Sequence, residues 1–239
     1  MGETSATEQP SQPAPPAFAE TGRPYYATIV AAFVCLLLVS NIAATKGIQF
    51  GPLLTDGGVF LFPLTYVLGD ALAEVYGFRA TRRAILLGFA ASLVAAVIFW
   101  LVMISPGAPG YENQAAFEAV LGVVPRILLA SLLGYLAGQL LNALTLVAIK
   151  RRTRERHLWA RLLGSTLVGE AADTLVFCSI AAGAIGIVTM GQFWNYVVVG
   201  YLYKVLVEVA LLPVTYRLVA FLKAREPSYG VPTTDPTPA

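Results

Sequence analysis

Asp70, Glu74, Arg126, Glu170, Asp173, Lys204 and Glu208 sit inside stretches that otherwise have the composition of lipid-facing helix. A charge at the centre of a bilayer costs roughly 2.5–3.5 kcal/mol on insertion scales, so it is kept there by a partner, a wet cavity or a substrate. Acids outnumber bases in this set. Buried carboxylates accept N–H donors, bind cations or carry protons. The combination predicts a polar chamber inside a helical bundle, which is the chemistry of a transporter.

The spacing groups these residues. Asp70 and Glu74 share a helix face with Tyr66, one turn earlier. Glu170 and Asp173 stand at i and i+3, with Phe177 one turn beyond. Lys204 and Glu208 are an i, i+4 pair with Tyr201 close by. Each group also has a purely local explanation. Glu74 could pair with Arg79 or Arg82, the Glu170–Asp173 pair with Arg126 or Lys204, and Lys204 with Glu208. Pro63 stands in the first turns of its span, where a bend is expected. Gln139, Asn142 and Ser131, with Ser40 and Asn41, add amides and hydroxyls of the kind that join membrane helices. Gly134 and Gly138 form a small-residue face suited to close packing.

Composition sets the frame. The 239 residues are 57% hydrophobic and only 13% charged, against about a quarter charged in soluble domains. Runs of roughly 20 apolar residues predict six spans, at 25–44, 59–78, 84–104, 121–149, 162–187 and 193–222. Most of the 16 Lys and Arg fall at one set of span ends, including Arg79, Arg82 and Arg83 and the run Lys150–Arg156. The positive-inside rule therefore predicts an all-α integral membrane protein with both termini cytoplasmic. The first apolar run is too long for a signal peptide and is expected to remain as a helix. Residues 1–24 and 224–239 are rich in Pro and Thr and read as disordered tails flanking a transmembrane domain at 25–223. Cys35 and Cys178 read as small buried hydrophobes, and His157 as a solvated loop residue. No metal site, cofactor, nucleotide loop or catalytic motif is expected. The basic loop around KRRTRER reads as a membrane-flanking segment, not a nucleic-acid patch.

GDALAE at 69–74 and GEAADT at 169–174 both place an acid after glycine, with another acid three or four residues on. Each lies in the middle span of a three-span half. The halves would then be inverted, with a site between them. Asn41 and Asn142 repeat the echo.

FPLTYVLGDALAEVYGFRATRRAILLGF at 62–89, HLWARLLGSTLVGEAADTLVF at 157–177 and YKVLVEVALLPVTYRLVAFLKAREP at 203–227 resemble the vitamin uptake transporter family, also called the queuosine precursor transporter family. The first block is the most specific, through its ordered Pro, Asp, Glu, Tyr-Gly and paired Arg. In the second, Glu170 stands where many members carry an amide-type residue. The resemblance implies a six-helix inner-membrane importer of deazaguanine bases that carry a cyano or an aminomethyl group. A guanine-like edge presents neighbouring N–H donors that one carboxylate can accept, and aromatic rings can stack on its faces. Expected contacts are Asp70 or Asp173, walled by Tyr66, Phe177 or Tyr201, with Asn41, Gln139 and Asn142 nearby. Glu74, Arg126, Glu170, Lys204 and Glu208 are the expected charge or proton-coupling network. A homodimer is compatible with the sequence. The alternatives are the membrane specificity subunit of an energy-coupling importer, an intramembrane carboxylate enzyme, and a structural or assembly protein.

Overall fold

The computed structural model describes residues 18–22, 24–153 and 158–229. His157, most of both expected tails and the centre of the basic loop lie outside the described residues. Long Leu-, Val- and Ala-rich runs form the helices α1 (Pro24–Ala43), α2 (Phe62–Ile104), α4 (Val124–Thr153), α5 (Leu158–Ala181) and α6 (Met190–Arg225). A short α3 (Gln114–Leu121) precedes α4. Among the described residues, five helical stretches are long and apolar enough to cross a membrane. The chain is a helical membrane protein.

Two boundaries differ from expectation. The loop expected between 78 and 84 is helical, so the second and third expected spans lie on the single 43-residue α2. At about 1.5 Å per residue such a helix would be about 65 Å long, roughly twice the hydrocarbon core. It is broken instead at Gly77 (φ 79°, ψ 173°), a conformation essentially confined to glycine. Pro63 does not bend it, because it lies in the first turn, where its missing N–H has no helical partner to lose.

The second difference is a two-stranded antiparallel hairpin, β1 (Gly47–Phe50) and β2 (Leu53–Asp56), where the sequence suggested only a loop. Gly51 supplies the positive φ for its two-residue turn. A 3-10 turn (Gly57–Phe60) leads from the hairpin to α2. A second one (Ala182–Ile185) leads from α5 towards α6, which begins with a reciprocal Thr189–Gln192 capping box.

Parts of both expected tails are packed at the Gly77 break. The Phe18 ring lies 3.2 Å from where a Cβ on Gly77 would stand. Ala19 N donates to the Val75 carbonyl (2.8 Å), and Glu20 N to Ser228 Oγ (2.9 Å). Glu226, only 3% exposed, accepts from the Tyr76 hydroxyl at 2.6 Å. The Val75 carbonyl beside the break thus finds its partner in the N-terminal flanking segment.

The glycine requirement at this break has a signed consequence. Gly77→Ala should lower stability in detergent by about 1–3 kcal/mol, read as a fall in thermal unfolding temperature. An uninterrupted helix would respond in the opposite direction, because alanine is the better helix former.

Candidate functional site

Close packing of α4 on α5 sets the site. A Cβ on Gly138 would lie 2.9 Å from Asp173 Cβ and 3.0 Å from the Gly169 carbonyl. One on Gly169 would meet Asn142 Cβ at 2.9 Å. The small-residue face read from Gly134 and Gly138 therefore does pack, and what it packs against is the turn that carries Asp173.

Lys204 reaches this point from α6. Its Nζ hydrogen-bonds Asp173 Oδ2 and lies 3.7 Å from Glu170 Oε2. Glu170 Oε1 accepts from the Tyr66 hydroxyl at 2.9 Å. The Lys204 ammonium also stands 4.8 Å from the centre of the Phe62 ring, which meets Tyr66 edge-on at 4.4 Å. Three helices thus meet in one charge cluster, and Lys204 pairs with the α5 acids, not with Glu208.

The cluster opens on a cavity of about 470 Å³, within the size range of small-molecule sites. Tyr66, Asp70, Glu170, Asp173, Phe177 and Lys204 line it. So do Asn41, Gln139 and Asn142. Asp70 makes no hydrogen bond or ion pair among the described residues.

Other expected members are elsewhere. Tyr201 does not line the cavity; Tyr196, Gly200, Tyr203 and Lys204 form the lining face of α6. That spacing is the i, i+4, i+7, i+8 stripe of a helix, and Tyr201 falls off its edge. Glu74 lies outside the cavity lining and pairs with Lys223 Nζ at 2.6 Å. Arg126 donates from Nε to the Ile180 carbonyl (2.6 Å) and is absent from the lining, as is Glu208.

Asp56 is the residue that sequence reading passed over. It ends β2, lines the cavity and accepts hydrogen bonds from the Tyr196 hydroxyl and from Gly58 N (2.8 Å). Burial pushes its carboxyl above the ordinary value, against the opposing pull of those hydrogen bonds and of Lys204. Asn195 clamps the same hairpin, donating to the Pro52 carbonyl (2.9 Å) and accepting from Leu54 N (2.8 Å). The only available signal was Asp followed by Gly-Gly, a turn-capping pattern. Cys178, 1% exposed, packs with Tyr196 in the cavity lining, whereas Phe78, also in the lining, is 74% exposed. Cys35, expected to be buried, is exposed on α1.

Residues 56–218 match the family described as "Putative vitamin uptake transporter". The chain belongs to this family. It is 30% identical to the "Probable queuosine precursor transporter" of Bacillus subtilis (strain 168), over 74% of this chain and 77% of that one. It is 29% identical to the "Queuosine precursor transporter" of Escherichia coli (strain K12), over 65% and 68% respectively. A Haemophilus influenzae protein, "Probable queuosine precursor transporter", is 26% identical over 68% and 67%. No solved structure matches significantly. Family membership and the apolar helices make the chain a multi-pass membrane transporter, not an enzyme.

The charge cluster predicts a non-additive cycle. Lys204→Met and Asp173→Asn should each destabilise by about 3–5 kcal/mol, since either strands a buried partner. The double variant should lose clearly less than the sum, measured by thermal unfolding at matched expression. Strict additivity would mean that the two groups do not interact. In a Cys35→Ser background, Tyr196→Phe should speed labelling of Cys178 by a membrane-impermeant maleimide severalfold. An unchanged rate would show that the Tyr196–Asp56 hydrogen bond does not limit access to Cys178.

Proposed function

We propose that this protein imports queuosine precursors, the deazaguanine bases carrying a cyano or an aminomethyl group, across the inner membrane. The observation that carries the reading is the convergence of Tyr66, Glu170, Asp173 and Lys204 on one cavity in which Asp70 keeps an unpaired carboxylate. Asp173, oriented by Lys204, accepts N–H donors from the base edge. Tyr66 and Phe177 supply apolar walls for the ring faces. Asp70 is the group available to a positive charge that travels with the substrate, either an ammonium substituent or a proton. The names of the relatives support the substrate class.

In this reading α2 crosses the membrane twice, once on each side of Gly77, giving six spans and cytoplasmic termini. That arrangement is supported by the cluster of Arg79, Arg82 and Arg83 just beyond the break. The GDALAE and GEAADT segments then lie in two inverted halves, with the site between them.

Purified protein in liposomes should accumulate labelled deazaguanine without an added ATPase. Asp70→Asn and Asp173→Asn should each reduce uptake at least about tenfold at equal reconstitution. Uptake only in the presence of a separate ATPase module would instead identify a specificity subunit, and full uptake in both variants would remove the site assignment. An imposed inward proton gradient should raise the rate, and indifference to it would exclude proton coupling.

A further inference from the structure

Asn41 presents a polar atom that the charge cluster does not use. The residue is 5% exposed and lines the cavity. Ser131 Oγ donates to its Oδ1 at 2.8 Å, and Nδ2 is buried with no hydrogen-bond partner among the described residues. A buried amide N–H2 without an acceptor is costly, and such groups are kept where a ligand supplies what the protein does not.

The position of this donor is as informative as its vacancy. Ser131 and Gly134 lie three residues apart on α4, about 4.5 Å along the axis and on neighbouring faces. Asp173 Oδ1 lies 2.7 Å from the point where a Cβ on Gly134 would stand, while Oδ2 of the same carboxylate is held by Lys204. The Asn41 amide and the Asp173 carboxylate therefore meet neighbouring turns of α4 and line the same cavity, with Phe177 packed on Gly134. One offers N–H and the other accepts it.

A lactam edge, with a ring N–H next to a ring carbonyl, is the complement of that pair. We infer that Asn41 is the specificity-determining donor of the site. It hydrogen-bonds the ring carbonyl of a lactam heterocycle whose adjacent N–H is accepted by Asp173. The inference rests on the proposed transport of a guanine-like base and adds the basis of selection. An adenine-like ring places an amino group where the carbonyl belongs, setting two donors face to face and leaving the Asn41 amide unpaired.

The test measures binding to the full chain in detergent, using deazaguanine and its thiolactam analogue, in which the weakly accepting sulfur replaces the carbonyl oxygen while the ring N–H is kept. The wild-type protein should prefer deazaguanine by about tenfold to hundredfold, as expected for one buried hydrogen bond. Asn41→Asp keeps the acceptor for Ser131 but removes the donor, and should bring deazaguanine down to the affinity of the analogue. Asn41→Ala should do the same without adding charge, so a folding defect in one variant leaves the other to decide. If both ligands weaken equally in the variants that fold, or the wild-type preference survives, the inference is overturned while the importer reading stands. Failure of wild-type protein to bind deazaguanine at all would overturn that reading and this inference with it.

Discussion

An ammonium group in an apolar bundle is tolerated only when neighbouring carboxylates replace the water it has lost, and Lys204 is the residue on which that constraint falls. Its side chain is 14% exposed, and it meets Asp173 and Glu170 from α5 and the ring of Phe62 from α2. The pairing ties α6 to α5 and, through the Tyr66–Glu170 hydrogen bond, to α2. Close approach of α4, allowed by Gly134 and Gly138, fixes the turn from which Asp173 projects. The cavity is the space these helices leave around a neutralised cation.

The two ends of that space are built differently. At one end Asn195 and Tyr196 hold the hairpin to α6, and Tyr203 donates to the Val59 carbonyl of the following 3-10 turn at 2.8 Å. Asp70 and Arg82, both exposed on α2, line the cavity away from the hairpin. A two-stranded ribbon on its own is marginally stable, so the hairpin depends on these contacts to α6.

Hydrophobic run length revealed the helices themselves, because each needs about 20 apolar residues whatever its neighbours do. It misjudged the junction near residue 80. Three arginines suggested a loop there, yet the backbone leaves helical geometry only at Gly77, and the arginines begin the next helix. The hairpin was also missed, since four-residue strands carry too little pattern to stand out between membrane spans. The expected tails were read from composition, which gives no sign that Phe18 and Glu226 pack beside the break.

The sequence alone determined that the chain is a bundle of membrane helices and that Asp70, Glu170, Asp173 and Lys204 fall within its apolar stretches. That follows from solvation, a property of each residue and its immediate surroundings. Which charges neutralise one another was decided only by the fold. Lys204 turned to α5 instead of Glu208, Glu74 to Lys223, and Arg126 to a backbone carbonyl. Tyr203 replaced Tyr201, and Asp56 entered from a hairpin outside the apolar spans. Pairing depends on which helix faces meet, and that is set by glycine contacts and packing across more than a hundred residues of chain.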